Sequence, residues 1–368
     1  GATPVANGGT ALTSGFVNGK DPRKNAQPLI INGDMGIWQR STSTVTMSDG
    51  YYNCDRFRGE EGTDGTATWS RSTSVPDNTG LAYSLQVDCT GTDSSIGSGQ
   101  QTNIQQTIEA QNLQLLKWGT SDAEKLTLAF WCKSNQTGQH SVALRKLDNT
   151  AYNQPKTYTI SSANTWEKKV LVFSALTSSG GEINNDNGDG LQVFWKLAAG
   201  SNYQGTADTW TATNQGATAV SGDVNFMSST DNNFYLTGVQ LEIGEFSSTT
   251  IPPFQHETFG ENLARCQRYF QAFHPRGSGK AFGSTTAYLQ VPFLKPMRST
   301  PSYSQNAVFR ITNNDTGEFT QSSAGGGFDQ SDNHSGRLAG NNFSSLTDAQ
   351  TIHASPNGNV SAHFDSEL

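Results

Sequence analysis

Flat indole rings stack on the C–H faces of sugars, and nearby amides and carboxylates take the hydroxyls. The chain has seven tryptophans, at positions 38, 69, 118, 131, 166, 195 and 210. Leu128, Phe130 and Cys132 alternate in phase, so Trp131 points the other way, with Thr127, Ala129 and Lys133. A face covered by another strand or subunit would explain Trp131 equally well. Trp195 shares phase with Leu191, Val193 and Leu197 and is expected in a core. Trp210 lies in a polar stretch between Asp208 and Thr213 and is expected to be exposed. Trp131 and Trp210 are therefore the candidate carbohydrate-binding residues.

Other chemistries find less support. Asn185-Asp186-Asn187-Gly188-Asp189-Gly190 has the front of a calcium loop, but the closing position that needs a bidentate Glu is Lys196. A hydrophilic hairpin loop is the expectation there. Glycoside hydrolysis needs two carboxylates roughly 5–9.5 Å apart. Glu60 and Glu61 are adjacent and would point apart in a strand, while Asp186 and Asp189 share a polar loop. No Gly-x-Ser-x-Gly elbow, His-Glu-x-x-His pair or phosphate loop occurs, and the six histidines are scattered. Cys54, Cys89, Cys132 and Cys266 are widely spaced with no Cys-x-x-Cys, so zinc is not expected. Cys132, in phase with Leu126, Leu128 and Phe130, reads as a buried free thiol. No catalytic residue, metal site or cofactor is assigned, and a binding role rather than an enzyme is expected.

The elements that would position these residues are strands. Of 368 residues, 33% are hydrophobic and 15% charged. Ordinary globular chains run near ~45–50% and ~25%. Glycine, at 38 residues, is abundant, and neutral polar residues fill the remainder. This balance fits thin β layers with neutral polar outer faces. The net charge of -8 argues against a nucleic-acid backbone as partner. No apolar run reaches the length of a membrane-spanning helix, and no signal peptide is visible. Period-two patterns predict strands over 66–71, 82–88, 103–109, 125–133, 142–147, 165–173, 191–197 and 234–243. Asn32–Arg40 and Thr237–Gly244 read as the first and last strands of one sandwich. A helix is predicted over 258–272, with Thr258 and Glu261 in a capping-box pattern and His274-Pro275 as its stop.

The expected architecture is all-β: an antiparallel jelly-roll sandwich, one short connecting helix, then a smaller C-terminal β domain. The boundaries are 1–30 for an N-terminal arm, 31–257 for the jelly roll, 258–275 for the helix and 276–368 for the last domain.

The order of short motifs resembles a family of bacteriophage and prophage tail-fibre proteins. Its opening is Asn32-Gly33-Asp34-Met35-Gly36-Ile37-Trp38-Gln39-Arg40, followed by Asp55-Arg56-Phe57. Then come Leu126 to Ser134, Thr165-Trp166, Gly238 to Gly244, the run Glu261 to Phe270, and Pro296-Met297-Arg298-Ser299-Thr300-Pro301. The set is in order from 31 to 301 and is specific as a set. The resemblance implies a carbohydrate-binding-module jelly roll with a small β domain, in trimeric fibres. Related modules often hold a structural calcium through an Asp in the last strand. This chain has Thr237-Gly238 there, so calcium is left open rather than carried over.

The expected function is that of a phage virion structural protein, a tail fibre or similar appendage that binds host surface glycans for attachment. Its partners would be itself, as a homotrimer, other virion proteins through residues 1–30, and the glycan, with no nucleic acid and no membrane insertion. A capsid decoration or head-fibre protein and a polysaccharide-degrading tail spike are the alternatives. Trp210→Ala is expected to reduce binding to host cells without unfolding.

Overall fold

The computed structural model describes residues 24–274, 277–305, 308, 310–313, 317–355 and 362–368. The chain divides between Thr258 and Phe259 into two compact units.

In the first unit, strands alternate inward apolar and outward polar residues, the pattern that two stacked sheets require. They are β1 (Val45–Thr46), β2 (Arg58–Glu61), β3 (Thr66–Ser72), β4 (Ser84–Gly91), β5 (Gln101–Glu109), β6 (Leu126–Ser134) and β7 (Gly138–Lys146). There follow β8 (Tyr152–Ile160), β9 (Glu167–Phe173), β10 (Asp189–Ala199), β11 (Gln204–Gly205), β12 (Thr211–Ala212), β13 (Ala219–Val220) and β14 (Asn233–Ile243). Sheet I has the order β1-β3-β4-β14-β6-β9, and sheet II the order β12-β8-β7-β10-β5-β2. Each is antiparallel, and the unit is a jelly-roll sandwich. Trp195 of sheet II packs edge-on against Phe130 of sheet I, with ring centres 5.8 Å apart. Trp69, Leu85, Val87, Leu128, Ile104 and Val142 fill the same layer and are fully buried. Lys146, at the end of β7, shares the inward phase, and its ammonium donates to the backbone carbonyls of Asp148, Thr150 and Gly180. Those carbonyls replace the lost water, as a buried cation requires.

Several expectations change. Asn32–Arg40 is a closed loop, not a strand. Asn32 and Met35 take positive φ, which no extended strand allows. The Asn32 side chain ties the loop by bonding the N–H and C=O of Ile37 and the C=O of Asp55. The loop does meet the last strand, because Val239 N–H donates to Gly33 C=O at 2.9 Å. That contact falls where β14 bulges, between Thr237 and Gln240, with Gly238 at φ +59°. Residues 24–30, expected as part of an arm, lie on the sandwich: Leu29 and Ile30 are buried and Lys24 pairs with Glu124. The rest of that arm, 1–23, lies outside the described residues.

The second unit has its own core around Leu289, Val291, Leu338, Ile352 and Phe364. Helix α1 spans Phe259–Cys266, shorter than the sequence predicts. Phe270–Phe273 leaves the helical pattern and pairs with Ala362–Asp365. Ladder bonds and the burial of Phe270 outweigh the helical spacing of Tyr269 and Phe270 there. Ser302–Gln305 pairs with the other edge of Ala362–Asp365, and a seven-stranded sheet completes the unit.

Candidate functional site

The site grows from phase. In β10, Leu191, Val193, Trp195 and Leu197 point into the core, so Gln192, Phe194 and Lys196 point outward. In β5, Ile104 and Ile108 point inward, which turns Gln101, Asn103 and Gln105 outward. Pairing registers these residues into rows across sheet II. Arg145 lies beside Gln192, Phe194 beside Gln105 and then Arg58, and Lys196 beside Asn103 and then Glu60.

An outward face would normally be wet, yet Gln105 is 1% exposed and Lys196 3%. The cover is the excursion between β10 and β14. It is stitched to β7 by Val220 N–H donating to Ser141 Oγ and Val224 N–H donating to Gln139 C=O. It brings Tyr203, Gln215 and Thr218 over the rows and leaves a cleft of about 220 Å³.

The cleft is strongly polar. Glu60 accepts from Gln101 Nε2 at 2.7 Å and Asn103 Nδ2 at 2.9 Å. Lys196 donates to Gln101 Oε1 and lies 4.9 Å from the centre of the Phe194 ring and 5.2 Å from that of Tyr203. Burial pulls the Lys196 ammonium down to about 7; Glu60 opposes the shift and Arg145 adds to it. Burial also lowers Arg145, with Glu60 opposing. The Tyr203 hydroxyl is raised by burial and then by Glu60, and it donates to Gly99 C=O. Gln105 Nε2, Arg145 Nε, Thr218 Oγ1 and Asn103 Oδ1 are buried without a hydrogen-bond partner. Unmade bonds of this kind are costly, at roughly 1–3 kcal/mol each, unless something fills them. The arrangement can hold a small polyhydroxylated molecule: amides and cations around it, and the half-exposed Tyr203 ring to lie against.

The tryptophans singled out by sequence lie elsewhere. Trp131 is half-buried on the outward face of sheet I, directly over the Gly238 bulge. Trp210 precedes β12 at the edge of sheet II and is half-buried rather than an exposed platform. Its Nε1–H donates to Ser174 C=O at 2.9 Å, and its ring packs edge-on to Trp118 at 5.3 Å. The two are not brought together. Trp195 is in the core, as its phase requires.

The remaining candidates resolve structurally. Asp186 Oδ1 accepts from Gly188 N–H, which folds the Asn185–Gly190 segment into a turn leading to β10. No group of three or more His, Cys, Asp or Glu among the described residues is placed to hold a metal ion. Glu60 faces the cleft, while Glu61 accepts from Thr102 Oγ1 at 2.8 Å on the other side of the strand. All four cysteines are buried, and none forms a disulfide. Burial pushes the Cys132 thiol up to about 12. The motif residues are part of the frame: Asp55 accepts from Gln39 N–H, and the buried Arg56 donates to Thr107 C=O. No helix among the described residues is long and apolar enough to cross a membrane.

No known protein family and no curated protein matches the chain. Solved structures give weak likenesses. One is the enzymatically active domain of tailspike protein 4 of bacteriophage CBA120, 14% identical at TM-score 0.30, covering 59% of this chain and 21% of that one. This chain thus spans about a fifth of that tailspike chain. A second is described as a putative sugar binding protein from Bacteroides thetaiotaomicron, 13% identical at TM-score 0.30, covering 59% and 100%. A third is a family 11 carbohydrate-binding module from Clostridium thermocellum in complex with a β-1,3-1,4-mixed-linked tetrasaccharide, 10% identical at TM-score 0.27, covering 56% and 99%. Likenesses this low fix neither family nor function.

Proposed function

We propose that this chain is a phage virion structural protein, a tail fibre or related appendage, whose jelly-roll unit binds a host surface glycan in the sheet II cleft. The observation that carries the binding half is the set of buried, unpartnered polar atoms on Gln105, Arg145 and Thr218, which line the cleft with the Tyr203 and Phe194 rings. A sugar supplies hydroxyls to the first group and C–H faces to the second. The cleft volume is smaller than the ~300–1,000 Å³ of most ligand pockets, so it suits one residue of a polymer rather than a long stretch. The weak grip of one such site would be offset by display of several copies, with a homotrimer as the assembly unit.

The ordered motif set from 31 to 301 supports the virion half of the reading, together with the neutral polar composition. In the structure the motif residues up to Gly244 build the loop, the bulge and strands of the sandwich, and those from Glu261 to Pro301 belong to the second unit. Binding without turnover is favoured over a degrading spike, because Glu60 is the one carboxylate among the residues lining the cleft. Glycoside hydrolysis uses a pair.

The test is a bacterial glycan array read with the intact protein and with Tyr203→Ala. The expected result is binding to at least one surface polysaccharide, weakened about tenfold by the substitution, equivalent to ~1.4 kcal/mol. Binding that Tyr203→Ala leaves unchanged would remove the cleft from the account. Light scattering on the same sample is expected to give the mass of a trimer; a monomer would count against fibre assembly.

A further inference from the structure

Resting on the glycan-binding reading of the cleft, we propose that the sugar it takes is acidic, with its anionic group held between Arg145 and Lys196. The charges that face the cleft are Arg58, Arg145 and Lys196 against Glu60. Two of the four are already answered. Arg58 is ion-paired with Asp49, and the Glu60 oxygens accept from Gln101 and Asn103. Lys196 has one amide oxygen and two ring faces for company, and no carboxylate in ion-pair contact. The Arg145 guanidinium makes neither a hydrogen bond nor an ion pair among the described residues, and its Nε–H is buried without a partner.

Register sets the two cations on one outward face, roughly 13 Å apart along the strand direction at the backbone, which leaves room for a group between them. Arg145 stands beside Gln192, and Lys196 follows four residues along the same strand, with Phe194 between them. Burial lowers Lys196 most, Glu60 opposes, and the Arg145 charge adds to the lowering. Two cations under one cover share a single carboxylate, Glu60, whose oxygens are already bonded to Gln101 and Asn103, and a bound anion would relieve that imbalance. The orphaned groups agree. Arg145 Nε and Gln105 Nε2 are donors only, Thr218 Oγ1 can donate, and Asn103 Oδ1 alone is purely an acceptor. Donors in excess call for a ligand rich in acceptor oxygens, and an arginine fork matches a planar carboxylate well. A neutral hexose would offer Arg145 hydroxyl oxygens but no counter-charge.

The experiment is a calorimetric titration of the full chain with acidic bacterial capsular polysaccharides, the same polymers after carboxyl reduction, and neutral capsules. Phosphate-bearing polymers form a separate arm, to distinguish the source of the negative charge. The expected result is that an acidic polymer binds at least about tenfold tighter than its reduced form. Arg145→Gln should abolish that preference with the melting temperature unchanged. Lys196→Met serves as a second variant should Arg145→Gln fold poorly, with the same expected loss. Equal binding of native and reduced polymers, or binding of neutral capsules alone, would overturn the acidic assignment and leave glycan binding standing. Binding of no polysaccharide at all would sink both.

Discussion

Lys196 sets burial against charge within one side chain. Its ammonium titrates near 7 in the fold, against about 10.4 in an unfolded chain. Between those values the unfolded chain holds the extra proton, so stability rises with pH across the window. Anion binding runs the other way, since the protonated form is lost as pH rises through 7. The groups that face this lysine are Glu60, Gln101, Arg145 and Tyr203. Affinity for an acidic polymer should therefore fall several-fold from about pH 6 to about pH 8.5, and Lys196→Met should flatten the profile. His140 carries a second pH effect. It stacks on Tyr158 at 5.5 Å in the core, and burial lowers it from 6.5 to about 4. The native state refuses a proton that the unfolded chain accepts, so stability falls as pH drops through that interval, by on the order of 3 kcal/mol. Denaturant titrations at both ends of the interval will check this, and His140→Phe should remove the dependence. Trp210→Ala now has a different expected outcome from the one its sequence context indicates. Loss of the Trp118 contact and the Ser174 hydrogen bond should lower stability by about 2 kcal/mol. Binding of the folded fraction should be unaltered.

At the scale of elements, the loop at Gly33 and the bulge in β14 hold the first unit closed. A Cβ at Gly33 would come 2.1 Å from the Val239 carbonyl oxygen, which is backbone and has no rotamer to yield. Gly33→Ala should cost about 3 kcal/mol, measurable by chemical denaturation, with a fold as stable as wild type as the contrary result. The sheet edges are short or carry charge: β1 and β12 have two residues each, and β9 carries Lys168 and Lys169. Such edges resist unplanned pairing between copies. These elements also show what the sequence makes legible. The alternation of Leu126, Leu128, Phe130 and Cys132 places β6 within a residue at each end, and the phase of Leu191, Val193 and Leu197 places Trp195 inside. The opposite phase of the same strand, Gln192-x-Phe194-x-Lys196, held half the cleft, as did Gln101-x-Asn103-x-Gln105 in β5. Both are outward polar rows, indistinguishable by pattern from ordinary wet surface. What makes them a site is the cover supplied by Tyr203 and Thr218, a long-range contact with no period. β8 was missed because Tyr152-Asn153-Gln154-Pro155-Lys156 has polar residues on both faces and a proline within the strand. The indoles drew attention through residue type alone, and their surroundings, Trp118 and the Gly238 bulge, are again distant in sequence.

At the scale of the molecule, two cores with no residue in common predict two separable folding units. Calorimetry should resolve two transitions, and a fragment covering 24–258 should melt cooperatively and keep the cleft's binding; a fragment that binds nothing would show that the site needs the second unit. The net charge of -8 gives an acidic host polymer a weak long-range repulsion to overcome. Attraction must therefore be local to the cleft, and it will be screened little by salt where the cations are buried. The most direct test of the account is a crystal structure of the intact chain with an oligosaccharide from the polysaccharide it binds. The account predicts a sugar ring against Tyr203, within hydrogen-bonding reach of Gln105 and Arg145. Sugar bound on the outward face of sheet I, or on the second unit with the cleft left empty, would contradict it.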